Sequence, residues 1–80
     1  MKVIIIGATS GIGKELAIQF AKDNCTVGIT GRRNELLEEI KRLYPDRIFT
    51  ECFDVTGTEN IQHVKKLIGR TGGIDLLVYN

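Results

Sequence analysis

Gly7, Gly11 and Gly13 stand at the spacing Gly-x-x-x-Gly-x-Gly, directly after the apolar run Val3–Ile6 and directly before a helical pattern that runs to about Asn24. Glycines at a strand-to-helix turn suit the binding of phosphate by backbone. Gly7 permits a tight turn, Gly11 lets the main chain approach a pyrophosphate without a Cβ in the way, and Gly13 lets the helix pack closely on the strand. The helix N-terminus adds free N–H groups and the positive end of its dipole. That dipole contributes about 0.3–1 kcal/mol at an exposed site, so several N–H bonds must share the task. The contacts expected are the backbone of Gly7, Gly11, Ile12 and Gly13, with hydroxyl donors from Thr9 and Ser10.

Two other chemistries use similar loops, and the spacing excludes both. A kinase-type or GTPase-type phosphate loop needs Gly-x4-Gly-Lys-Ser/Thr. Here five residues separate Gly7 from Gly13, and Glu15 follows Lys14 where a magnesium-binding hydroxyl should stand. A hydrolase nucleophile elbow needs Gly-x-Ser-x-Gly, whereas the positions flanking Ser10 at that spacing are Ala8 and Ile12. A turn whose glycines serve packing alone is the plain alternative. The strand before and the helix after weigh against it.

The next charged feature is Gly31-Arg32-Arg33, about 20 residues on. In a dinucleotide-binding fold an acidic residue there holds the ribose 2′-hydroxyl of NAD, while arginine accommodates the 2′-phosphate of NADP. Charge-assisted bonds of this kind contribute about 1.5–3 kcal/mol each. The pair therefore points to NADP rather than NAD. Two solvated arginines ahead of a helix are the alternative, but like charges there oppose the helix dipole. Asp54 closes a third apolar segment, where a carboxylate could accept a hydrogen bond from an adenine amino group. It could equally start the turn before Thr56-Gly57. Asn80, after a fourth apolar segment, is expected at the same edge beside the glycine loop, unless it is a disordered terminal residue.

The elements that must position these residues follow from periodicity. Lys2–Ile6, Thr26–Thr30, Arg47–Phe53 and Ile74–Tyr79 read as strands, short and apolar as in a sheet buried on both faces. Three helical patterns lie between them. The first turns Ile12, Leu16, Ala17, Phe20 and Ala21 inward. The second has an N-cap at Asn34, turns Leu36, Leu37, Ile40, Leu43 and Tyr44 inward, and stops at Pro45. The third starts near Gly57 or Thr58, turns Ile61, Val64, Leu67 and Ile68 inward, and ends at Gly69, Gly72 and Gly73. The order β-α-β-α-β-α-β predicts an α/β fold of three layers: a parallel sheet with right-handed crossovers and helices on both faces.

The 80 residues read as one unit with no repeat, linker or low-complexity tract. The composition is 42% hydrophobic and 26% charged, ordinary for a globular protein. A net charge of +1 gives no global field for nucleic acid or an acidic membrane surface. The longest apolar run is far short of a membrane span, and strand and turn begin too early for a signal peptide. Cys25 and Cys52 have no metal-type spacing and are expected to be two small buried thiols of a cytoplasmic protein. His63 is expected to be a solvated helix residue, and no metal site is read.

Taken together, these residues resemble the short-chain dehydrogenase/reductase family. Ile6-Gly7-Ala8-Thr9-Ser10-Gly11-Ile12-Gly13 looks like its TGxxxGxG loop, with Ile6 in place of Thr. Thr30-Gly31-Arg32-Arg33 is similar to the second-strand end of NADP-using members, and Asp54-Val55 to the adenine-contacting pair. Asp75-Leu76-Leu77-Val78-Tyr79-Asn80 resembles the lead into the NNAG motif, with Tyr79 in place of its first Asn. The resemblance implies a Rossmann-type sheet of strand order 3-2-1-4 and the N-terminal cofactor-binding part of an oxidoreductase that moves a hydride between NADP(H) and a carbonyl or alcohol. Arg32 and Arg33 would clamp the 2′-phosphate, Asp54 and Val55 bracket adenine, and Asn80 lie near the ribose. The family's catalytic Ser and Tyr-x-x-x-Lys have no counterpart in these residues, so no catalytic residue is assigned and the chain is expected to bind nucleotide at most. A non-catalytic NADP-binding sensor or association module is the second reading. The fourth strand, an apolar edge, is expected to promote self-association.

Overall fold

The computed structural model describes residues 1–9, 11–54 and 60–80. Strand β1 (Lys2–Ile6) leads into helix α1 (Gly11–Lys22). Then follow β2 (Thr26–Gly31), α2 (Asn34–Leu43), β3 (Ile48–Cys52), α3 (Asn60–Thr71) and β4 (Leu76–Tyr79). The strands form one parallel sheet in the expected order β3-β2-β1-β4. Lys2 pairs with Thr26, Val3 with Leu76, and Val27 with Ile48 at the start of each ladder. Because every pair is parallel, Ile6, Gly31, Cys52 and Tyr79 all end at one edge. Gly7, Arg32, Asp54 and Asn80 follow those ends directly or within two residues.

The two-residue period of β1 divides the core. Val3 and Ile5 face α1 and α2, in a cluster with Ala17, Ala21, Val27, Ile29, Leu37, Ile40 and Ile48. Ile4 and Ile6 face α3 and pack with Leu67, flanked by Phe49, Val64 and Ile68. A strand buried on both faces must be apolar at consecutive positions, which explains the unbroken run in β1. Gly28 lets α3 come close: a Cβ there would lie 2.7 Å from Ile4 Cδ1 and 2.8 Å from Leu67 Cγ.

Helix ends follow local chemistry. Asn24, at φ 66°, takes the left-handed cap position after α1, and the Cys25 N–H bonds to the Phe20 carbonyl (2.9 Å). Gly72 (φ 82°) and Gly73 (φ 139°) close α3, with the Gly73 N–H on the Ile68 carbonyl. The sequence placed some of these limits differently. β3 is shorter than Arg47–Phe53, although Arg47 and Phe53 still bond β2 through Val27 N–H and the Gly31 carbonyl. β4 begins at Leu76, not Ile74, and β2 extends through Gly31. The N-cap of α2 is Arg33, without a side-chain cap bond, and Asn34 is the first helical residue. The start expected for α3 at Gly57 or Thr58 lies outside the described residues.

Ile12, Leu43 and Ile61 are exposed, not inward as their apolar spacing suggested. The buried stripes are narrower than the apolar ones: Gly13, Ala17 and Ala21 in α1, and Leu37 and Ile40 in α2. Leu67 is the buried apolar residue of α3. The three exposed residues fall to the side of these stripes. Of the cysteines, Cys25 is buried as expected, but Cys52 is exposed at the end of the edge strand β3. Among the described residues no helix is long and apolar enough to cross a membrane.

Candidate functional site

The carboxyl edge of the sheet brings the glycine loop between the ends of β2 and β4. Gly7 leaves β1 at φ 81°, a conformation an L side chain rarely adopts. Both of its backbone polar groups are held by side chains of the flanking strand ends. Its N–H donates to Thr30 Oγ1 (3.1 Å), and its carbonyl accepts from Asn80 Nδ2 (2.8 Å). The Ala8 N–H donates to the Thr30 carbonyl (2.8 Å), and the Asn80 N–H to the Ile6 carbonyl (3.0 Å). Thr9 packs its methyl against Gly31, where any Cβ would collide with it.

Gly11 and Gly13 do different work. Gly11, at φ 61°, is exposed, and among the described residues nothing lies within 4 Å of where its Cβ would be. Its requirement is conformational, and it leaves the backbone open to a ligand. Gly13 is buried. A Cβ there would lie 2.7 Å from the Gly7 carbonyl oxygen and 2.6 Å from Asn80 Nδ2. Its requirement is close packing of α1 beneath the loop. Ile12, 71% exposed, stands between them at the loop's outer surface.

Arg32 and Arg33 follow Gly31 at the end of β2, next to the strand that carries the loop. Both are exposed, and their guanidinium groups make no hydrogen bond or ion pair with any described residue. Asp54 is exposed just beyond β3 and has a partner of its own. Ser10 and Val55 lie outside the described residues. The structure thus gathers Gly7, Thr9, Gly11, Ile12, Gly13 and Asn80 around one loop. Arg32 and Arg33 lie at the adjoining strand end and Asp54 beyond the next.

Three contacts escaped sequence reasoning. The buried Thr30 hydroxyl reaches the loop, and only its place just before Gly31-Arg32 hints at this. The Asn80 amide braces the loop carbonyl. His63, expected to be solvated, is half-buried: its Nδ1 lies 2.7 Å from Glu51 Oε2, and its ring stacks on Phe53 at 4.7 Å between centroids. Glu51 also faces Arg70 (3.5 Å), whose guanidinium donates to the Thr50 carbonyl (2.6 Å). This cluster ties α3 to β3, and no spacing in the chain announces it. Among the described residues no group of three His, Cys, Asp or Glu side chains could hold a metal ion. An apolar groove of about 280 Å³ opens on the α3 side of the sheet, between Ile6, Phe53, Val64, Leu77 and Tyr79, with Lys65 its charged member. Among the described residues its lining is apolar but for Lys65, whereas the glycine loop presents open backbone at Gly11, so the loop is the stronger candidate for a phosphate.

A parallel sheet of this order, with a glycine loop opening onto a helix N-terminus at its carboxyl edge, defines a dinucleotide-binding domain of the Rossmann class. The backbone is open at Gly11, and Arg32 and Arg33 are unpaired among the described residues. The chain belongs to the short chain dehydrogenase family, whose profile matches residues 1–80. That family comprises oxidoreductases that bind nicotinamide dinucleotides. A Dictyostelium discoideum protein, dehydrogenase/reductase SDR family protein 7-like, is 38% identical over 98% of this chain and 28% of its own length. The crystal structure of a short chain dehydrogenase from Bacillus anthracis superposes with TM-score 0.86 at 42% identity, covering 99% of this chain and 33% of that one. A 3-ketoacyl-(acyl-carrier-protein) reductase from Brucella melitensis, solved with NADH, superposes with TM-score 0.87 at 26% identity, over 95% of this chain and 32% of its own. The chain spans between about a quarter and two fifths of the length of such relatives.

Proposed function

We propose that this chain is the N-terminal cofactor-binding part of an NADP-dependent short-chain oxidoreductase. The whole protein would transfer a hydride between NADP(H) and a carbonyl or alcohol substrate, and the 80 residues would hold the adenosine and pyrophosphate. The observation that carries the reading is the pair Arg32-Arg33, exposed and unpaired among the described residues, at the strand end beside an open glycine loop. A carboxylate in their place would repel a 2′-phosphate. Two guanidinium groups attract one and offer bidentate donors.

In this reading the backbone of Gly11, Ile12 and Gly13 receives the pyrophosphate and Thr9 and Ser10 add hydroxyls, while Gly7, expected from the sequence to join them, shapes the turn instead because Thr30 and Asn80 hold its N–H and carbonyl. Arg32 and Arg33 clamp the 2′-phosphate, Asp54 and Val55 bracket adenine, and Asn80 stands near the ribose. The bound nicotinamide supplies the hydride chemistry. These residues bind and orient the nucleotide without taking or giving a proton.

Calorimetric titration of the chain with NADP and NAD, for wild type and Arg32→Ala, tests the reading. NADP is expected to bind more tightly than NAD, and the variant to lose NADP selectively. Binding of neither nucleotide to the wild type would refute a nucleotide role for these residues. Equal loss of both in the variant would refute the 2′-phosphate clamp.

A further inference from the structure

We propose that Thr30 is a positioning residue for the cofactor, fixing the pyrophosphate loop against the strand end that carries the arginines. The inference rests on the nucleotide reading above and adds to it a residue that touches no part of the ligand.

The loop leaves β1 where the regular ladder ends, so its amides need other partners. Position 6, where the resembling motif has Thr, holds Ile6, whose side chain is buried with Ile4 and Leu67 and carries no hydroxyl. A hydroxyl reaches the loop from β2. Thr30 is fully buried; its Oγ1 accepts from the Gly7 N–H and its carbonyl accepts from the Ala8 N–H. The next residue, Gly31, receives the Thr9 methyl where a side chain would stand. Loop residues 7, 8 and 9 are therefore fastened in turn to residues 30 and 31, and residues 32 and 33 are the arginines. The buried hydroxyl, with the backbone bond and the Thr9 methyl beside it, thus links the two ends of the candidate site. The Gly7 carbonyl is secured separately, from the other side, by Asn80.

Without the hydroxyl, Gly7 keeps its glycine conformation but its part-buried N–H has no acceptor. The loop then opens to find water and must be re-ordered at each binding event. A single neutral hydrogen bond of this kind corresponds to about a fivefold change in an equilibrium. Because the pyrophosphate is common to both nucleotides, NADP and NAD should suffer alike. This distinguishes Thr30 from Arg32, whose loss acts on NADP.

The test uses the 80-residue chain and the variants Thr30→Val and Thr30→Ser, with NADP, NAD and ADP as probes in calorimetry and Gly7 amide exchange read by NMR. Thr30→Val is expected to weaken all three ligands about fivefold in parallel and to speed Gly7 exchange by a similar factor. Thr30→Ser should stay within about twofold of wild type on both measures. Unchanged affinity in Thr30→Val overturns the proposal, as does a Thr30→Ser variant as weak as Thr30→Val, which would make the methyl and not the hydroxyl the cause. If wild type binds no nucleotide, the functional reading fails and Gly7 exchange decides the positioning: unchanged exchange in Thr30→Val overturns it, and faster exchange upholds the loop contact. Should Thr30→Val not fold, Thr30→Cys, with a weak acceptor in place of the hydroxyl, is held to the same thresholds.

Discussion

Replacing Gly13 by Ala sets two effects of opposite sign against each other. Alanine favours a helix over glycine by about 0.5–1 kcal/mol, and Gly13 lies in the first turn of α1. Packing opposes this gain. The new methyl would stand 2.7 Å from the Gly7 oxygen, 2.6 Å from Asn80 Nδ2 and 3.1 Å from Ala8 Cα, all inside the 3.4 Å at which ordinary contact begins. Two of the three atoms are backbone, so a rotamer change cannot relieve the overlap. Forcing a methyl into such a site costs about 1–3 kcal/mol. Displacing the Asn80 amide from the Gly7 carbonyl removes a hydrogen bond of about 1 kcal/mol more. The net expectation is a loss of about 2 kcal/mol, a fall in melting temperature of roughly 8–16 °C for a domain of this size. Thermal unfolding followed by circular dichroism reads it directly. Gly69→Ala is the matched control: among the described residues nothing lies within 4 Å of its Cβ position in α3, so helix propensity acts alone and stability should rise by about 0.5 kcal/mol. A Gly13→Ala protein that melts at or above wild type would refute the packing argument and leave Gly13 a matter of propensity.

Arg32→Ala should weaken NADP by about 1.5–3 kcal/mol, or roughly 10-fold to 150-fold, and leave NAD within about twofold; calorimetry separates the two. Glu51 and His63 should couple by about 0.5–1 kcal/mol in a double-mutant cycle with Glu51→Gln and His63→Gln, since the pair is part-buried; a coupling of zero would make the 2.7 Å contact energetically idle. Strand β4 carries no charge along its edge, and Leu77 and Tyr79 are exposed. The chain is expected to self-associate there, and Leu77→Lys to shift it toward monomer in light scattering; a wild-type monomer at high concentration would contradict this.

Much of the fold is written locally. An unbroken apolar β1, helical periods between short strands, and glycines after Ile6 and Thr71 dictate element type and order, because each depends on neighbours within a turn or two. The right-handed crossover and the glycine loop then make a parallel dinucleotide-binding sheet the consistent answer. The loop and the arginines were legible for the same reason: their chemistry lies in residue type and spacing.

What required the tertiary structure is every contact between residues far apart in the chain. Spacing names three glycines but does not distinguish their tasks. The fold shows that Gly11 is open and sits at positive φ, whereas Gly13 is closed by the Gly7 carbonyl and Asn80, 67 residues further on. It makes Thr30 a loop anchor through a hydroxyl 23 residues from its partner. It turns His63 from a solvated helix residue into a partner of Glu51 and Phe53, and it brings Cys52 to the surface because β3 is an edge strand. Periodicity located the apolar residues of each helix, but the width of the buried stripe depends on how closely the sheet approaches, so Ile12, Leu43 and Ile61 fell outside it. The sequence by itself determined which elements form and where the glycine loop falls between them; the packing of β2 and β4 around that loop decided which side chains hold it in shape.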